Sequence, residues 1–334
     1  MRITSFIIFN QLTQSLSKTL QNYFAQNQTL ASGKRFNAPS DDPAGLSRAM
    51  DCQVSITSNN QYRRNIDFAQ NSLNFTNSIL TSYSGTLSNV ISLVSKNSTV
   101  QDPSVRAADS QKAASLRDIL NDFANSNIND QYLFAGFKTD TLPYAAGTYA
   151  YQGDAGVIKI PVDQGALLPV NVTGIEAFSY AQAAPLSLRT TNGNIVHYTP
   201  GAGTDINVVI NDATDTTQLD TFTFSNVMQM TTLLSAAIGA GNTTRVQALA
   251  DPFQKMIQQL NVVSTDVSSR VSNFNTRSTL LDQNTNNLQS ALSSIQDADP
   301  IQTAAQLKQT EVTLQALRDS ASRVLSQTLF DFLK

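Results

Sequence analysis

Apolar residues recur at every seventh position in two stretches that lie in opposite halves of this 334-residue chain. One series is Ile66, Leu73, Leu80, Leu87 and Val94; the other is Phe253, Leu260, Val267, Phe274, Leu281, Leu288 and Ile295. A seven-residue step returns to the same face of an α-helix every two turns, so each series is one long apolar seam. A helix cannot bury such a seam alone. The simplest partner for each seam is the other, which sends the chain out along a rod and back along it. The predicted class is therefore mainly α: a long antiparallel coiled-coil or helical-bundle rod formed by the N- and C-terminal halves. Such a rod suits a building element better than a reaction vessel.

Two more amphipathic stretches lie at the ends. Residues 1–36 carry Phe9, Leu16, Tyr23 and Leu30 seven apart, with Leu12 and Leu20 widening the stripe. Residues 301–334 carry Leu307, Leu314 and Ala321 at the same spacing, with Leu317 and Val324 beside them. A chain that goes out and comes back should pair these end helices antiparallel. Helix starts are marked by Asp42-Pro43 and Asp102-Pro103, a capping acceptor followed by proline at the first helical position. Breaks fall at residues 32–43, at Gly239-Ala240-Gly241-Asn242 and at Asp297-Ala298-Asp299-Pro300.

The character changes between about Gly136 and Ser225, where Gly and Pro become frequent. Short alternating segments follow: Ile158, Ile160 and Val162; Leu168, Val170 and Val172; Ile206, Val208 and Ile210; Phe222 and Phe224. Asn192-Gly193-Asn194 has hairpin chemistry, and Pro161 and Pro169 point to edge strands or bulges. Three domains are expected: an assembly domain of terminal helices, 1–44 with 300–334; a helical-bundle rod, 45–136 with 226–299; and an inserted β-rich domain, 137–225.

Composition narrows the function. The chain is 41% apolar but only 14% charged, with Glu176 and Glu311 as its only glutamates. Ser, Thr, Asn and Gln cover the helix surfaces instead, and apart from Gln these are weaker helix formers than Glu or Lys. Long helices of this kind need tertiary or quaternary contacts to persist. A net charge of −3 without a basic block argues against nucleic acid binding. No apolar run approaches the roughly 18 residues of a membrane span. The start, Met1 to Phe9, has only four consecutive apolar residues, short of the roughly 7–15 of a cleaved secretory signal. The residues thus show no Sec-type export signal, which leaves export by a signal-less route open.

Candidate chemistry is sparse, and no catalytic, cofactor-binding or metal-binding residue is assigned. Asp41 and Asp42 beside Pro43 read as a capped helix start rather than a catalytic carboxylate pair, since no second acid or base partner is offered. His197, the single histidine, has no Cys/His ligand spacing around it and reads as a structural or surface residue on a strand. Cys52, the single cysteine, excludes an internal disulfide framework, and a nucleophilic role lacks a histidine in its own domain. Gly239-Ala240-Gly241 lacks a following lysine–serine pair and reads as a helix end rather than a phosphate cradle.

The segment Ser32-Gly33-Lys34-Arg35-Phe36-Asn37-Ala38-Pro39-Ser40-Asp41-Asp42-Pro43-Ala44-Gly45 resembles the signature of the bacterial flagellin family. Its Lys34-Arg35 and Pro39-to-Pro43 spelling looks like the hook–filament junction members of that family. Filament-forming members usually have a plainer Asp-Asp followed by alanine. Tyr132-Leu133-Phe134-Ala135-Gly136-Phe137-Lys138-Thr139-Asp140, Tyr151-Gln152-Gly153-Asp154 and the opening Met1-Arg2-Ile3-Thr4 are similar to the junction members too. A departure is Ser272 after Arg270-Val271, where the family tends to have glycine; a continuous helix prefers the serine. The likeness covers both helical ends and the approach to the middle domain, while residues 155–225 are not distinctive.

The resemblance implies an extracellular flagellar component, exported unfolded by the flagellar apparatus without a cleaved signal. An export chaperone is expected at its C-terminal region. Copies are expected to self-associate in a ring at the distal end of the hook, between a hook-side hook-associated protein and flagellin or other filament-side subunits. Neither cofactor nor membrane insertion is expected. The expected assembly interface is Phe9, Leu12, Leu16, Leu20, Tyr23, Leu30, Leu314, Leu317, Val324, Leu325 and Leu329, with the end helices ordering only on assembly. The two heptad seams are the expected rod core. Two alternatives stay open: a flagellin that forms the filament itself, and a secreted adhesin or enzyme whose active part is the middle domain.

Overall fold

The computed structural model describes the backbone of residues 2–180 and 182–332, and side chains from 7 to 323 within that range. The elements in chain order are α1 (Arg2–Ser32), α2 (Pro43–Asn97), α3 (Pro103–Ala124), β1 (Asn127–Ile128), β2 (Gln131–Tyr132), β3 (Lys159–Asp163), β4 (Ala166–Pro169) and α4 (Gly174–Phe178). They continue with β5 (Leu186–Arg189), β6 (Ile195–Pro200), β7 (Ile206–Asn211), β8 (Gln218–Phe224), α5 (Val227–Ala240), α6 (Thr243–Ala248), α7 (Ala250–Gln296) and α8 (Pro300–Phe332). The protein is mostly helical, with its strands confined to the middle of the chain. Two compact units form, one from residues 1–60 with 281–334, the other from 61–280.

The unit at 61–280 holds most of the core. Ile66, Leu73, Leu80, Leu87 and Val94 of α2 are buried, as are Phe253, Leu260, Val267 and Phe274 of α7. Gln70 of α2 donates to Asn275 of α7 at 2.8 Å, and Ser264 donates to Asn77 at 3.0 Å, so the partner number falls as the α2 number rises: the helices are antiparallel. α3 packs along α5, and Ser110 and Ser235 exchange hydrogen bonds of 2.9 Å with each other's carbonyls. Hydroxyls on α2 are satisfied within the helix: Thr76, Thr81, Ser88 and Ser92 each donate to the carbonyl four residues back.

β5 to β8 form an antiparallel meander in sequential order. Its inner face is apolar, with Val196, Tyr198, Ile206, Val208, Ile210, Phe222 and Phe224 buried at alternate positions. The β5–β6 turn at residues 190–194 is closed by Thr190 and Gly193, the latter at φ +87°. β3 and β4 pair only with each other, which leaves their prolines, Pro161 and Pro169, without a central-strand penalty.

The β-rich segment and the helices of 61–280 belong to one compact unit. An aromatic cluster explains the union. Phe178 of α4 packs tilted against Tyr83 of α2 at 4.6 Å between ring centroids and edge-on against Phe134 at 4.7 Å. Tyr151 donates to the Phe134 and Asp154 carbonyls at 2.8 and 2.9 Å, and Gly174 N–H to the Phe134 carbonyl at 2.8 Å. Gly136, at φ +73°, lies against Asp154 so closely that a Cβ would overlap its carbonyl. The segments 132–140 and 151–154 are thus one knot around Phe134.

The unit of 1–60 and 281–334 has a thinner core. Phe36, Ala49, Ile56, Leu281 and Leu314 are its buried apolar residues among those described. Asn59 of α2 donates to Thr285 of α7 at 3.3 Å. Leu288 and Ile295 continue the α7 seam but remain half-buried, because few large side chains are available here to cover them.

Candidate functional site

The motif between α1 and α2 is a tight device held by hydrogen bonds of its backbone and its two aspartates. α1 ends at Gly33, which adopts φ +68° and donates to the Thr29 carbonyl at 2.9 Å. Arg35 N–H then donates to the Gln296 carbonyl at 2.7 Å, and Ala298 N–H to the Gly33 carbonyl at 2.9 Å. These bonds tie the α1–α2 turn to the α7–α8 turn. Phe36 plugs the junction and is 3% exposed. Asp41 Oδ2 accepts from the N–H groups of Ala38 and Asn37 at 3.0 and 3.1 Å, and these bonds hold its carboxyl below the usual range. Asp42 Oδ1 accepts from Gly45 N–H at 2.8 Å and caps α2. A Cβ at Gly45 would come within 2.2 Å of the Asp42 carboxylate, so the cap in this position depends on glycine there.

The turn places the end of α1 beside the start of α8, and the two helices pack along one another, hence antiparallel. Their facing stripes meet only partly. Leu12, Leu16, Leu20 and Tyr23 on α1 are half-buried, and no described α1 side chain is fully buried. On α8, Thr303 and Leu314 are buried and Leu307, Leu317 and Ala321 are half-buried. Phe9 and Leu30 stay exposed, together with Ile7, Ile8, Phe24, Ile301 and Val312. The side chains of Val324, Leu325 and Leu329 lie outside the described residues. Charge is scarce: Lys18 is the only charged side chain among those described on α1. Thr13, Thr19 and Thr29 turn their hydroxyls back onto the helix, to the carbonyls four residues earlier. The pair therefore presents large apolar side chains on several faces, fit for burial against protein, with most of its charge on α8 at Lys308, Glu311, Arg318, Asp319 and Arg323.

One constellation escaped the sequence reading. Strand register sets Ser187 opposite His197. Ser187 Oγ lies 2.7 Å from His197 Nδ1, and Asp215 Oδ1 lies 2.7 Å from Nε2. Asn211 donates to the same Asp215 oxygen at 2.8 Å, and the His197 bond is the main reason the Asp215 carboxyl is held below its usual range. The hairpin signal at 192–194 was the clue, because a turn centred there brings 187 and 197 together. Acyl transfer also needs a bound substrate and donors for the oxyanion. This trio lies on the outer sheet face with Ser187 exposed, and the cleft beneath β5 is lined by other residues, including Leu188, Val196 and Tyr198. Its evident action is to tie β5, β6 and the β7–β8 loop together.

Cys52 is a half-buried free thiol on α2. Gly241, at φ +72°, caps α5 as a helix end. A groove of about 300 Å³ runs between α2 and the β1–β2 hairpin, with Phe68, Tyr132, Leu133 and Val170 in its walls. Among the described residues no group of three or more metal-ligating side chains comes together, and no helix is long and apolar enough to cross a membrane.

The bacterial flagellin N-terminal helical region matches residues 3–139. The flagellar hook-associated protein 3 of Escherichia coli (strain K12) is 28% identical over 181 residues, 53% of this chain and 57% of that protein. The protein of the same name from Salmonella typhimurium (strain LT2) is 26% identical over 182 residues, 54% and 57%. The match thus spans about 57% of the length of these curated relatives. Among solved structures, hook-associated protein 3 from Legionella pneumophila superposes with a TM-score of 0.58 at 15% identity, covering 73% of this chain and 98% of that one. FlgL from Xanthomonas campestris gives 0.56 at 17% identity, covering 72% and 99%. At these identities the structural likeness is one of fold.

Proposed function

Because residues 3–139 match the bacterial flagellin N-terminal helical region, we propose that the protein is a flagellin-family structural adaptor joining flagellar hook to filament. The observation that carries the proposal is the α1–α8 pair, which leaves Phe9, Phe24, Leu30 and Val312 exposed and covers Leu16 and Leu317 only in part. In this reading the two helices are an assembly surface, and their remaining apolar area is covered by neighbouring copies. Ordering about 60 residues in marginal helices is offset only when that burial occurs. The helices accordingly gain much of their stability on assembly, and the less ordered free state suits passage through a narrow export channel. α2 and α7 supply the rod, with the heptad seams as its core.

The relatives are named as flagellar hook-associated proteins, which supports an extracellular place on the flagellum. The partners in this reading are further copies in a ring, a hook-side hook-associated protein, and flagellin or other filament-side subunits. An export chaperone holds the C-terminal region beforehand, and no cleaved signal is used. The role is structural and not enzymatic, in keeping with the open setting of Ser187, His197 and Asp215. The test is immunogold electron microscopy with antibody to residues 140–225. Label in a short band at the outer end of the hook is expected. Label along the whole filament makes the protein a flagellin, and absence from flagella removes the proposal and returns attention to the middle domain.

A further inference from the structure

Three helix ends meet in the unit of 61–280. Asn97 is the last residue of α2, Arg106 lies in the first turn of α3, and Gly241 caps α5. All three line a cavity of about 20 Å³, with Ile238, Asn242 and Val246. Asn97 is 3% exposed. Its Nδ2 donates to the Leu93 carbonyl at 3.0 Å and to Asp109 Oδ2 at 2.9 Å. Both partners are acceptors, so the amide orientation is fixed and Oδ1 is the atom turned away from them. That oxygen is buried with no partner among the described protein groups, and so is Arg106 Nε.

The residues that carry one buried acceptor and one buried donor therefore line the same small space. A buried polar atom without a partner costs about 1–3 kcal/mol, so leaving two together is disfavoured. We infer that the cavity is a hydration site for a single water molecule, which donates to Asn97 Oδ1 and accepts from Arg106 Nε–H. The size fits, since one water needs about 10–15 Å³ of such space. The charge pattern selects a neutral occupant. An anion would meet the Asn97 oxygen beside the Asp109 carboxylate, and a cation would meet the Arg106 guanidinium. A Cβ at Gly241 would lie 1.6 Å from Nη1, so glycine leaves the guanidinium its room against the α5 end. The carbonyl end of α5 favours a cation there. The water completes the corner by linking the end of α2 to α3 beside the α5 cap.

The test is a crystal structure of the full chain at a resolution that shows ordered solvent, with water-proton relaxation dispersion in solution. A density peak within hydrogen-bond reach of both Asn97 Oδ1 and Arg106 Nε supports the inference. An empty cavity, a bound ion or a direct Asn97–Arg106 hydrogen bond overturns it. Arg106→Met removes the donor and keeps the stem, and Asn97→Leu serves as the second variant. With helicity unchanged, the dispersion amplitude should fall by the contribution of one long-lived water in Arg106→Met. An unchanged amplitude in a folded variant also overturns it.

Discussion

Asp42 and Gly45 act as one unit at the start of α2, since the carboxylate that caps the helix fills the space where a Gly45 Cβ would stand. Asp42→Ala should cost about 1 kcal/mol of stability, the usual worth of an N-cap. Gly45→Ala should displace the same carboxylate and cost a similar amount. The double variant should cost little more than the larger single one, because both remove one interaction. Urea unfolding of the four proteins checks this, and strict additivity would mean the cap and the glycine are independent. Asp212 permits a second prediction. The Thr216 N–H and neighbouring donors hold its carboxyl down at about 2, from an ordinary 3.8. A depressed folded value stabilises the ionised, hydrogen-bonded loop above the ordinary value, and that support is lost as pH falls from 3.8 toward 2. Carboxyl chemical shifts followed through acid titration should place the Asp212 midpoint near the lower figure, and a midpoint near 3.8 would show that the loop bonds do not persist in solution.

α1 and α8 differ from the inner helices in what they bury. Leu73 and Leu260 are buried within the protein, whereas Leu16 and Leu317 are half-buried against a single partner helix. Replacing Leu16 or Leu317 by Ala should therefore change the stability of the free chain by well under the 2–5 kcal/mol of a buried leucine. If neighbouring copies complete the burial, the same substitutions should remove about 2–5 kcal/mol per copy from the assembly. Chemical unfolding of the monomer and a filament-attachment assay separate the two effects. Equal losses in both would place the leucines in the monomer's own core and not at an interface.

The whole molecule is unevenly stabilised. Most of its large buried aromatics, Tyr83, Phe134, Phe178 and Phe253 among them, lie in the unit of 61–280, while the other unit relies on Phe36, Ile56, Leu281 and Leu314 among the described residues. Local opening follows the density of buried apolar contacts. Hydrogen exchange of the free chain should therefore show α1 and α8 exchanging much faster than α5 or the centre of α7. Comparable protection throughout would remove the case for folding coupled to assembly.

What could be read from the chain alone was of short range. The seven-residue seams and the pairs Asp42-Pro43 and Asp102-Pro103 are local signals of helix period and capping, and α2 and α3 begin at those prolines. The alternations of Ile206, Val208 and Ile210 and of Phe222 and Phe224 fall in β7 and β8, but Leu186 to Arg189 is too short and mixed to announce β5. Tertiary structure alone decided what depends on distant residues meeting: the knot of Tyr83, Phe134 and Phe178 that unites helices with the β-rich segment, the trio of Ser187, His197 and Asp215, and the corner of Asn97 and Arg106. It also decided how completely each stripe is covered. Periodicity shows which face of a helix is apolar, but the area of that face left in water depends on how many elements pack against it, and two paired helices cannot cover what a bundle can.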